Sequence, residues 1–346
     1  MLFRLIFLNN VGVEFMKSSF SISIAMCTYN GERYVLEQLA SIAKQDRLPD
    51  ELVVVDDQSR DNTVRLVRQF AESVPFAVNV LENPQNLGST KSFERAVLAC
   101  RGDIIVFADQ DDIWREDRLA KTEAYFYQNP QMNAVFSDAE IIDDNSVLQG
   151  RRIWDEVQFT PEGRTRWQQG EAYQMLYFSY VVTGATLAVR RSIVPVITPF
   201  PTNVPVLIHD AWIALITALQ DTIGFIDEPL ISYRQHIQQQ VGFKPAREKV
   251  TMRDRFTRGR EGKLSYVRQV ADRYRQLYTL LNSRTDVDKR KIALLKRMQD
   301  HMTLRTNLST GRLGRVVPVV RELGRGNYQL FGGHWWLTVI GDLLED

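Results

Sequence analysis

The sequence is poor in the residues that build disulfide frameworks, zinc sites and membrane spans. Its 346 residues include two cysteines and four histidines, and it has no run of about 20 apolar residues. Cys27 and Cys100 both lie in apolar stretches, so we interpret them as small buried side chains in a reducing compartment. We therefore expect neither a disulfide-stabilised secreted domain nor a membrane-spanning protein from this composition.

The opening residues also lack a clear targeting signal. Residues 1–15 contain only a short apolar stretch and no small-residue cleavage site, which is not typical of a signal peptide. The segment of residues 16–19, which begins with Met16, precedes the first predicted strand. A start at Met16 would make residues 1–15 an extension, and we treat residues 1–19 as an N-terminal extension.

Charge is unevenly distributed along the chain. The formal net charge is +1, but residues 244–346 contain 22 Lys or Arg against 11 Asp or Glu. The first 243 residues are correspondingly acidic. This asymmetry predicts a cation-binding site in the first part and an anionic partner for the tail. The alternative for the tail is a solvated helical face.

The first 145 residues alternate between apolar runs and helical patterns. The runs predict strands at residues 22–27, 52–55, 76–81 and 104–108. Helical patterns follow at residues 32–43, 62–72, 90–99 and 115–127. Four such units predict an α/β fold, with a parallel sheet covered by helices on both faces. Ligands bind beyond the carboxyl ends of the strands in such sheets.

The rest of the chain is less regular and then becomes helical. We expect a strand at residues 178–189 with a break at Gly184, a helix at 210–219 and short strands at 224–233 around Pro229. Helical periodicity without strand signals runs over about 247–281 and 286–308. We therefore predict a catalytic domain at residues 20–243 and a basic helical region at residues 244–346.

The strongest chemical signal follows the fourth predicted strand. Asp109, Asp111 and Asp112 lie within four residues, separated by Gln110. Carboxylates this close repel one another unless a cation lies among them. Oxygen ligands favour Mg²⁺ or Mn²⁺, which commonly combine a few carboxylates with substrate phosphates. A solvated acidic turn is the alternative.

Polar residues also follow the first three strands. Thr28, Tyr29 and Asn30 precede Gly31 in an ordinary turn sequence that also suits contact with a base or a phosphate. Asp57 at the second strand end would accept hydrogen bonds from a nucleotide base or ribose, although helix capping by Ser59 or Asp61 explains part of that segment.

A cation and two histidine motifs complete the polar set. Lys91 follows the turn at residues 86–88, where a surface lysine is the simpler interpretation. Asp210 follows His209 at a predicted helix start and has the size and charge to accept a proton from a hydroxyl, with helix capping as the alternative. His236 follows Tyr233 as either a structural edge-strand histidine or a ligand near the metal or pyrophosphate.

In order and spacing, these motifs resemble those of the family 2 glycosyltransferases with the GT-A fold. The similarity extends over roughly residues 20–243. The Asp-Gln-Asp-Asp-Ile-Trp segment at 109–114 and the basic helical tail are similar to bacterial rhamnosyltransferases of polysaccharide assembly. The resemblance implies a Rossmann-like, mostly parallel sheet with a C-terminal helical extension.

The resemblance also implies roles for individual residues. The implied nucleotide-sugar contacts are Thr28, Tyr29, Asn30, Asp57, Lys91, Asp109 and Gln110. Asp111 would bind the divalent metal directly, with Asp109 and His236 as further ligands, and Asp210 would be the catalytic base. Family members often carry Asn three residues after this histidine. The corresponding Gln239 places the contacts of that loop in doubt.

The implied reaction is an inverting transfer of a sugar from a nucleotide-diphosphate donor to a hydroxyl of a glycan or lipid-linked glycan. The expected donor is dTDP-rhamnose, and a UDP-hexose or UDP-N-acetylhexosamine is the alternative. A catalytically inactive nucleotide-binding scaffold and a nucleotidyltransferase are the rival functions.

We expect a cytoplasmic enzyme without a nucleic-acid partner, peripheral on the inner membrane. The basic tail and its terminal aromatic residues would either bind anionic lipids or pack on the catalytic domain.

Overall fold

The computed structural model of the protein describes residues 20–204, 207–236, 239, 260–331 and 334–344. The strands are β1 (Ile22–Thr28), β2 (Glu51–Asp56), β3 (Ala77–Glu82), β4 (Ile104–Ala108), β5 (Ile113–Trp114), β6 (Ala134–Ile142), β7 (Leu148–Arg152), β8 (Leu187–Arg190) and β9 (Ile223–Arg234). The helices of the first part are α1 (Val35–Ala43), α2 (Thr63–Ala71), α3 (Ser89–Ala99), α4 (Arg118–Gln128), α5 (Ile153–Glu156), α6 (Pro161–Arg166), α7 (Ala172–Phe178), α8 (Val194–Ile197) and α9 (His209–Leu219). Four more follow: α10 (Arg260–Asn282), α11 (Lys289–Thr306), α12 (Arg312–Gly324) and α13 (Trp335–Leu344).

All nine strands form one mixed sheet in the order β3-β2-β1-β4-β8-β6-β9-β5, with β7 paired to β6. The pairs β3–β2, β2–β1 and β1–β4 are parallel. Strand β8 runs antiparallel to both β4 and β6, and β6 and β9 are again parallel. The predicted α/β fold with a mostly parallel sheet is confirmed for the first four strands. Their carboxyl ends meet at one edge of the sheet.

The apolar runs form strands because helices cover both faces of the sheet. Every residue of β2 and β4 is buried, as expected for strands in the middle of a parallel sheet. Helix α1 buries Val35, Leu39 and Ile42, which recur at helical spacing on one face. By contrast, β3 lies at the sheet edge and alternates between exposed and partly buried residues. The core therefore lies directly beneath the strand ends that carry the polar motifs.

The prediction of a strand at residues 178–189 was wrong for most of its length. Phe178 ends helix α7, and only Leu187–Arg190 is extended into a strand. Gly184 begins a short 3-10 turn, and its N–H donates to the side chain of Asp210 at 2.9 Å instead of to a neighbouring strand. The N–H of Gly184 is thus hydrogen-bonded to a side chain, not to the backbone of a neighbouring strand as the apolar pattern predicted.

The predicted short strands around Pro229 form one long strand instead. Strand β9 runs for 12 residues, and its register against β6 shifts between Ser137 and Ala139, with Asp138 paired to Pro229. Proline has no N–H to donate to a ladder, so a bulge at this point lets the strand continue past it.

The first two helices of the C-terminal region pack on the catalytic domain. Leu277 and Leu281 of α10 and Leu295 of α11 are buried in the same core cluster as the sheet residues. The hydroxyl of Tyr177 in α7 donates to the backbone carbonyl of Lys291 in α11 at 3.1 Å. The packing alternative is therefore the correct one for α10 and α11.

The last two helices attach to α11 through buried polar contacts. Glu322 of α12 contacts Nδ1 of His301 at 2.9 Å. Asp342 of α13 accepts from Nε of Arg305 at 2.7 Å and from the hydroxyl of Tyr328 at 2.9 Å. Buried charges are retained where they are paired and hydrogen-bonded in this way. These contacts fix which faces of α12 and α13 point toward the protein.

His301 is expected to make the fold less stable as the pH falls below 6.5. Burial lowers the pKa of His301 from 6.5 despite the opposing effect of Glu322, so the unfolded chain takes up a proton that the folded chain does not. The free energy of unfolding should fall by up to about 1.4 kcal/mol per pH unit for this proton. Urea unfolding between about pH 6.5 and 5.5 should depend less on pH in His301→Gln. The exposed His334→Gln should behave as wild type, and equal slopes in all three proteins would contradict the assignment.

Two further findings concern the predicted organisation. Within the ranges given above, no helix combines the length and the apolar character needed to cross a membrane. The predicted N-terminal extension and the predicted boundary near residue 244 lie outside the described residues, so the domain limits stay predictions.

Candidate active site

A cavity opens where the carboxyl ends of β1, β2 and β4 meet the start of α9 and the end of β9. Most of the residues predicted to act in the site line this cavity: Thr28, Tyr29, Asp57, Asp109, Gln110, Asp111, Asp210 and His236. They come from distant parts of the sequence, and the parallel topology gathers them at one edge of the sheet. Asn30 and Lys91 are the predicted residues that do not line it.

The acidic cluster at the end of β4 is buried and electrostatically strained. Burial, Asp111 and Asp210 raise the pKa of Asp109 to about 7, and Arg118 opposes them. Burial, Asp111 and Asp109 raise the pKa of Asp112 well above its usual range. Carboxylates held this close favour a bound proton or a bound cation over three free negative charges. The cluster therefore has the electrostatics of a cation site.

Asp111 and His236 form the closest pair of metal-type ligands in the cavity. Nε2 of His236 lies 2.7 Å from Oδ2 of Asp111. Nε of Arg234 donates to the backbone carbonyl of Asp111 at 2.7 Å, which fixes the turn. Among the described residues no three His, Cys, Asp or Glu side chains are gathered closely enough to hold a metal by themselves. This pair suits an ion that takes its other ligands from substrate phosphates and water.

The first strand end is held by hydrogen bonds between loops. The Thr28 hydroxyl donates to Asp56 at 2.8 Å. Gln110 pairs with the backbone of Tyr29, accepting from its N–H at 2.8 Å and donating to its carbonyl at 3.0 Å. A Cβ at Gly31 would lie 2.1 Å from Oε1 of Gln110, so a larger residue would displace this amide from the backbone of Tyr29. These contacts join the tips of β1, β2 and β4 into one rigid rim.

Asp57 binds the protein's own backbone in this structure. Its Oδ1 accepts from the N–H of Leu87 at 2.7 Å and from the side chain of Asn83 at 2.8 Å. Its Oδ2 accepts from the N–H of Gly88 at 2.8 Å. The carboxylate still lines the cavity, but it also positions the loop before α3. Its predicted contact with the nucleotide stays a prediction.

Lys91 and Asn30 require correction as predicted donor contacts. The Lys91 ammonium pairs with Glu94 at 2.9 Å, since i and i+3 side chains meet on one helix face. Ser89, Ser92 and Phe93 of the same helix line the cavity instead. The side chain of Asn30 accepts from the N–H of Arg60 at 2.8 Å and thus joins two loops outside the cavity wall. The α3 side chains of Ser89, Ser92 and Phe93 therefore line the cavity, whereas the side chains of Asn30 and Lys91 do not.

Asp210 lies in the first turn of α9 without capping it. The N-cap position is Ile208. Oδ2 of Asp210 accepts from the N–H of Gly184 at 2.9 Å, and Oδ1 accepts from the N–H of Ala211 at 2.6 Å. A Cβ at Gly184 would lie 3.3 Å from Oδ2 of Asp210 and 2.9 Å from Nε2 of His209. The backbone therefore holds this carboxylate at the cavity wall, and only glycine leaves it that room.

His209 is a cavity residue to which the sequence analysis gave no role. Its ring stacks on Phe93 at a centroid distance of 4.1 Å and on Phe107 at 5.8 Å. Both ring nitrogens are buried without a hydrogen-bond partner, and burial lowers the pKa of this histidine. A neutral imidazole with free hydrogen-bonding capacity is therefore present in the cavity wall.

Two buried arginines near the site were also missed. Arg118 donates to the backbone carbonyls of Phe107 at 3.1 Å and Ala185 at 2.7 Å, and burial lowers its pKa to about 9 despite the opposing carboxylates. Arg234 contacts Glu37 at 2.5 Å and also donates to Asp111. In the sequence, Arg234 could have been found only through its position between Tyr233 and His236. Arg118 could have been found only through its position after the acidic cluster.

The sequence of residues 23–194, about half of the chain, matches the sequence model of glycosyl transferase family 2. The chain belongs to glycosyl transferase family 2. It is a nucleotide-sugar glycosyltransferase, and the site described above occupies the sheet edge of that family's domain. Asp210 and His236 lie beyond the matched segment.

The chain is also similar to individual proteins of other organisms. The dTDP-rhamnosyl transferase RfbG of Shigella flexneri is 27% identical over 230 residues, covering 63% of this chain and 73% of that protein. WfgD of Escherichia coli, a glucosyltransferase acting on GlcNAc-diphosphoundecaprenol, is 32% identical over 127 residues, covering 37% of this chain and 49% of that protein. Protein Rv1520 of Mycobacterium tuberculosis is 24% identical, and the chain covers 59% of its length.

Solved structures share the fold at low sequence identity. The mannosyltransferase PcManGT of Pyrobaculum calidifontis, in complex with GDP-Man and Mn²⁺, aligns with a TM-score of 0.52 and 17% identity, covering 94% of this chain and 85% of that chain. TarS of Staphylococcus aureus aligns with a TM-score of 0.51 and 18% identity, covering 94% and 49% respectively. These alignments support the predicted GT-A architecture.

Proposed function

We propose that this enzyme transfers a sugar from a nucleotide-diphosphate donor to a hydroxyl with inversion at the anomeric carbon. The observation that carries the proposal is one cavity that holds two separate sets of groups. The Asp111–His236 pair lies at the β4 edge, and Asp210 lies at the start of α9 in the same cavity. The first set suits the diphosphate, and the second suits the acceptor hydroxyl.

Asp210 is the proposed general base. It accepts the proton of the acceptor hydroxyl while the acceptor oxygen bonds to the anomeric carbon. The bond from that carbon to the diphosphate oxygen breaks, and its electron pair leaves with the nucleoside diphosphate. One base and one displacement give inversion, and a positioned base contributes about 10²–10⁴-fold to the rate.

Asp111 and His236 are the proposed protein ligands of a divalent cation, and the third predicted ligand, Asp109, is not proposed because no three such side chains of the described residues are gathered closely enough to bind one ion. Mg²⁺ and Mn²⁺ both suit this donor set, and the complex of PcManGT with Mn²⁺ supports the proposal. Such an ion supplies stabilisation of negative charge on the leaving diphosphate without a general acid. Arg234 keeps Asp111 in place through its backbone carbonyl.

The proposed donor is dTDP-rhamnose. Similarity to RfbG, a dTDP-rhamnosyl transferase, supports this choice. A UDP-hexose or UDP-N-acetylhexosamine is the second candidate, supported by the name of WfgD.

A donor panel tests the proposal. Release of nucleoside diphosphate would be measured with dTDP-rhamnose, UDP-glucose, UDP-N-acetylglucosamine and GDP-mannose, with Mn²⁺ and with Mg²⁺. We expect the largest rate with dTDP-rhamnose. A larger rate with a UDP-sugar would replace the donor while keeping the reaction class. If the protein binds the four donors but releases no nucleoside diphosphate even when an acceptor is present, the result would favour the catalytically inactive scaffold.

The proposed acceptor is a glycan or a lipid-linked glycan. WfgD acts on a diphosphoundecaprenol-linked sugar, so a membrane-borne acceptor is consistent with this relative. We further propose that the enzyme works as a peripheral protein at the anionic cytoplasmic face of the inner membrane.

A further inference from the structure

A buried tyrosine, Tyr34, contacts the Asp111–His236 pair from outside the cavity. Its ring lies at a centroid distance of 4.9 Å from the ring of His236, and Tyr34 is 6% exposed. Tyr34 directly precedes helix α1. It does not line the cavity, whereas Asp111 and His236 do. Tyr34 therefore touches a proposed metal ligand without being placed to touch the donor.

The guanidinium of Arg234 connects the same tyrosine ring to Asp111. Its Cζ lies 4.7 Å from the centroid of the Tyr34 ring, within the distance at which a cation and an aromatic ring attract each other. Nε of Arg234 donates to the backbone carbonyl of Asp111 at 2.7 Å. Tyr34 thus contacts His236 directly and is linked to Asp111 through Arg234.

The remaining donors of Arg234 are also bonded. Nη1 donates to the backbone carbonyl of Asp143 at 3.1 Å and to the hydroxyl of Ser146 at 2.9 Å. Nη2 pairs with Glu37 of α1 at 2.5 Å. Arg234 is 1% exposed, and a buried network in which every donor nitrogen has a partner is rigid. Arg234 therefore gives both the Tyr34 ring and the Asp111 carbonyl a fixed support.

We propose that Tyr34 is a positioning residue of the metal site, whose ring holds the imidazole of His236 next to Asp111 for a divalent cation. A ligand that is already oriented loses less rotamer freedom when the ion binds. Loss of a neighbour that orients a metal ligand typically lowers metal affinity by about 10–100-fold. The inference rests on the proposed function, in which Asp111 and His236 bind the cation.

A purely structural role is the alternative for Tyr34. Its hydroxyl donates to Asp144 at 2.6 Å, in the loop between β6 and β7, and this bond holds the loop whether or not an ion is bound. The ring and the hydroxyl can be separated by substitution. Tyr34→Phe keeps the ring beside His236 and loses the bond to Asp144, Asp144→Ala removes the same bond from the other side, and Tyr34→Leu removes the ring as well.

The test is the affinity of the full chain for Mn²⁺, measured from the electron paramagnetic resonance signal of free Mn²⁺ with the protein alone and with dTDP or UDP added. Tyr34→Phe and Asp144→Ala should bind Mn²⁺ as wild type does. Tyr34→Leu should bind it about 10–100-fold more weakly. In nucleoside diphosphate release, Tyr34→Leu should need more Mn²⁺ for half its maximal rate and should approach the wild-type maximum once Mn²⁺ saturates the site.

Melting temperatures of the four proteins separate a loss of folding from a loss of ion binding. If Tyr34→Leu does not fold, Tyr34→Met takes its place, because the flexible methionine side chain fills irregular space without supplying a ring. A folded Leu or Met variant that binds Mn²⁺ as wild type does would overturn the inference. Equal weakening in Tyr34→Phe, Asp144→Ala and Tyr34→Leu would overturn it too, since the loop and not the ring would then hold His236.

The behaviour of wild type separates this inference from the proposed function. If wild type binds no Mn²⁺ with the protein alone, with dTDP or with UDP, the proposed metal site is wrong and the role of Tyr34 is wrong with it. If wild type binds Mn²⁺ and the ringless variant binds it equally well, the metal site stands and only the positioning role of Tyr34 is wrong.

Discussion

Asp111→Ala is expected to abolish sugar transfer and to weaken donor binding in the presence of Mn²⁺ or Mg²⁺. Asp111 contacts His236 at 2.7 Å, and its removal leaves the proposed ion without its principal protein ligand. Stabilisation of a leaving group by a metal is worth several kcal/mol, and each 1.36 kcal/mol is a factor of ten, so the rate should fall by roughly 10³-fold or more. Nucleoside diphosphate release and the donor dissociation constant would be measured on the same preparation.

The control for this variant is an exposed carboxylate away from the cavity. Asp227 pairs with Arg164 at 3.2 Å, and its side chain is 61% exposed. Asp227→Ala should retain wild-type transfer, since an exposed ion pair of this type contributes little. Excess EDTA should reproduce the Asp111→Ala defect in wild type, and added Mn²⁺ should reverse it. Undiminished transfer in EDTA would rule out metal dependence.

The sequence predicted the elements whose stability is local and missed those that depend on distant partners. Strand β4 and helix α9 have strong apolar patterns, and both appear where expected. Residues 179–183, which include Val181 and Val182, were also predicted to be extended, yet they form no strand. The backbone of Gly184 donates to Asp210, 26 residues away, and no local pattern contains that information.

The same limit applies to the site. The acidic cluster was recognisable because three carboxylates lie within four residues. Its contact with His236 spans 125 residues, and the sequence alone left His236 open between an edge-strand residue and a ligand near the metal. Lys91 was among the predicted donor contacts, although its place after a glycine turn favoured a surface lysine. Its pairing with Glu94 depends on side-chain direction on α3. His209 adjoins a predicted base, but its lack of hydrogen-bond partners is visible only in three dimensions.

Asp210→Asn is expected to lower turnover by about 10²–10⁴-fold while the fold and the donor affinity stay near wild type. Asn has the shape of Asp but no carboxylate to accept the acceptor's proton. Asp210 accepts from the N–H groups of Gly184 at 2.9 Å and Ala211 at 2.6 Å. The amide oxygen of Asn can keep one of these bonds, so loss of the other should cost only about 1 kcal/mol of stability.

A purely structural role for Asp210 makes the opposite prediction. Because Ile208 holds the N-cap position, the side chain of Asp210 does not cap α9 from that position, and its structural contribution is the pair of hydrogen bonds from the N–H groups of Gly184 and Ala211. If those bonds were its whole function, Asp210→Asn would show a small change in thermal stability with turnover within about threefold of wild type, well below the effect of losing a general base. Asp227→Asn serves as the control for introducing an amide. Turnover at saturating donor and acceptor, the donor dissociation constant and the melting temperature measured together separate the two roles, and near-wild-type turnover would remove Asp210 as the base.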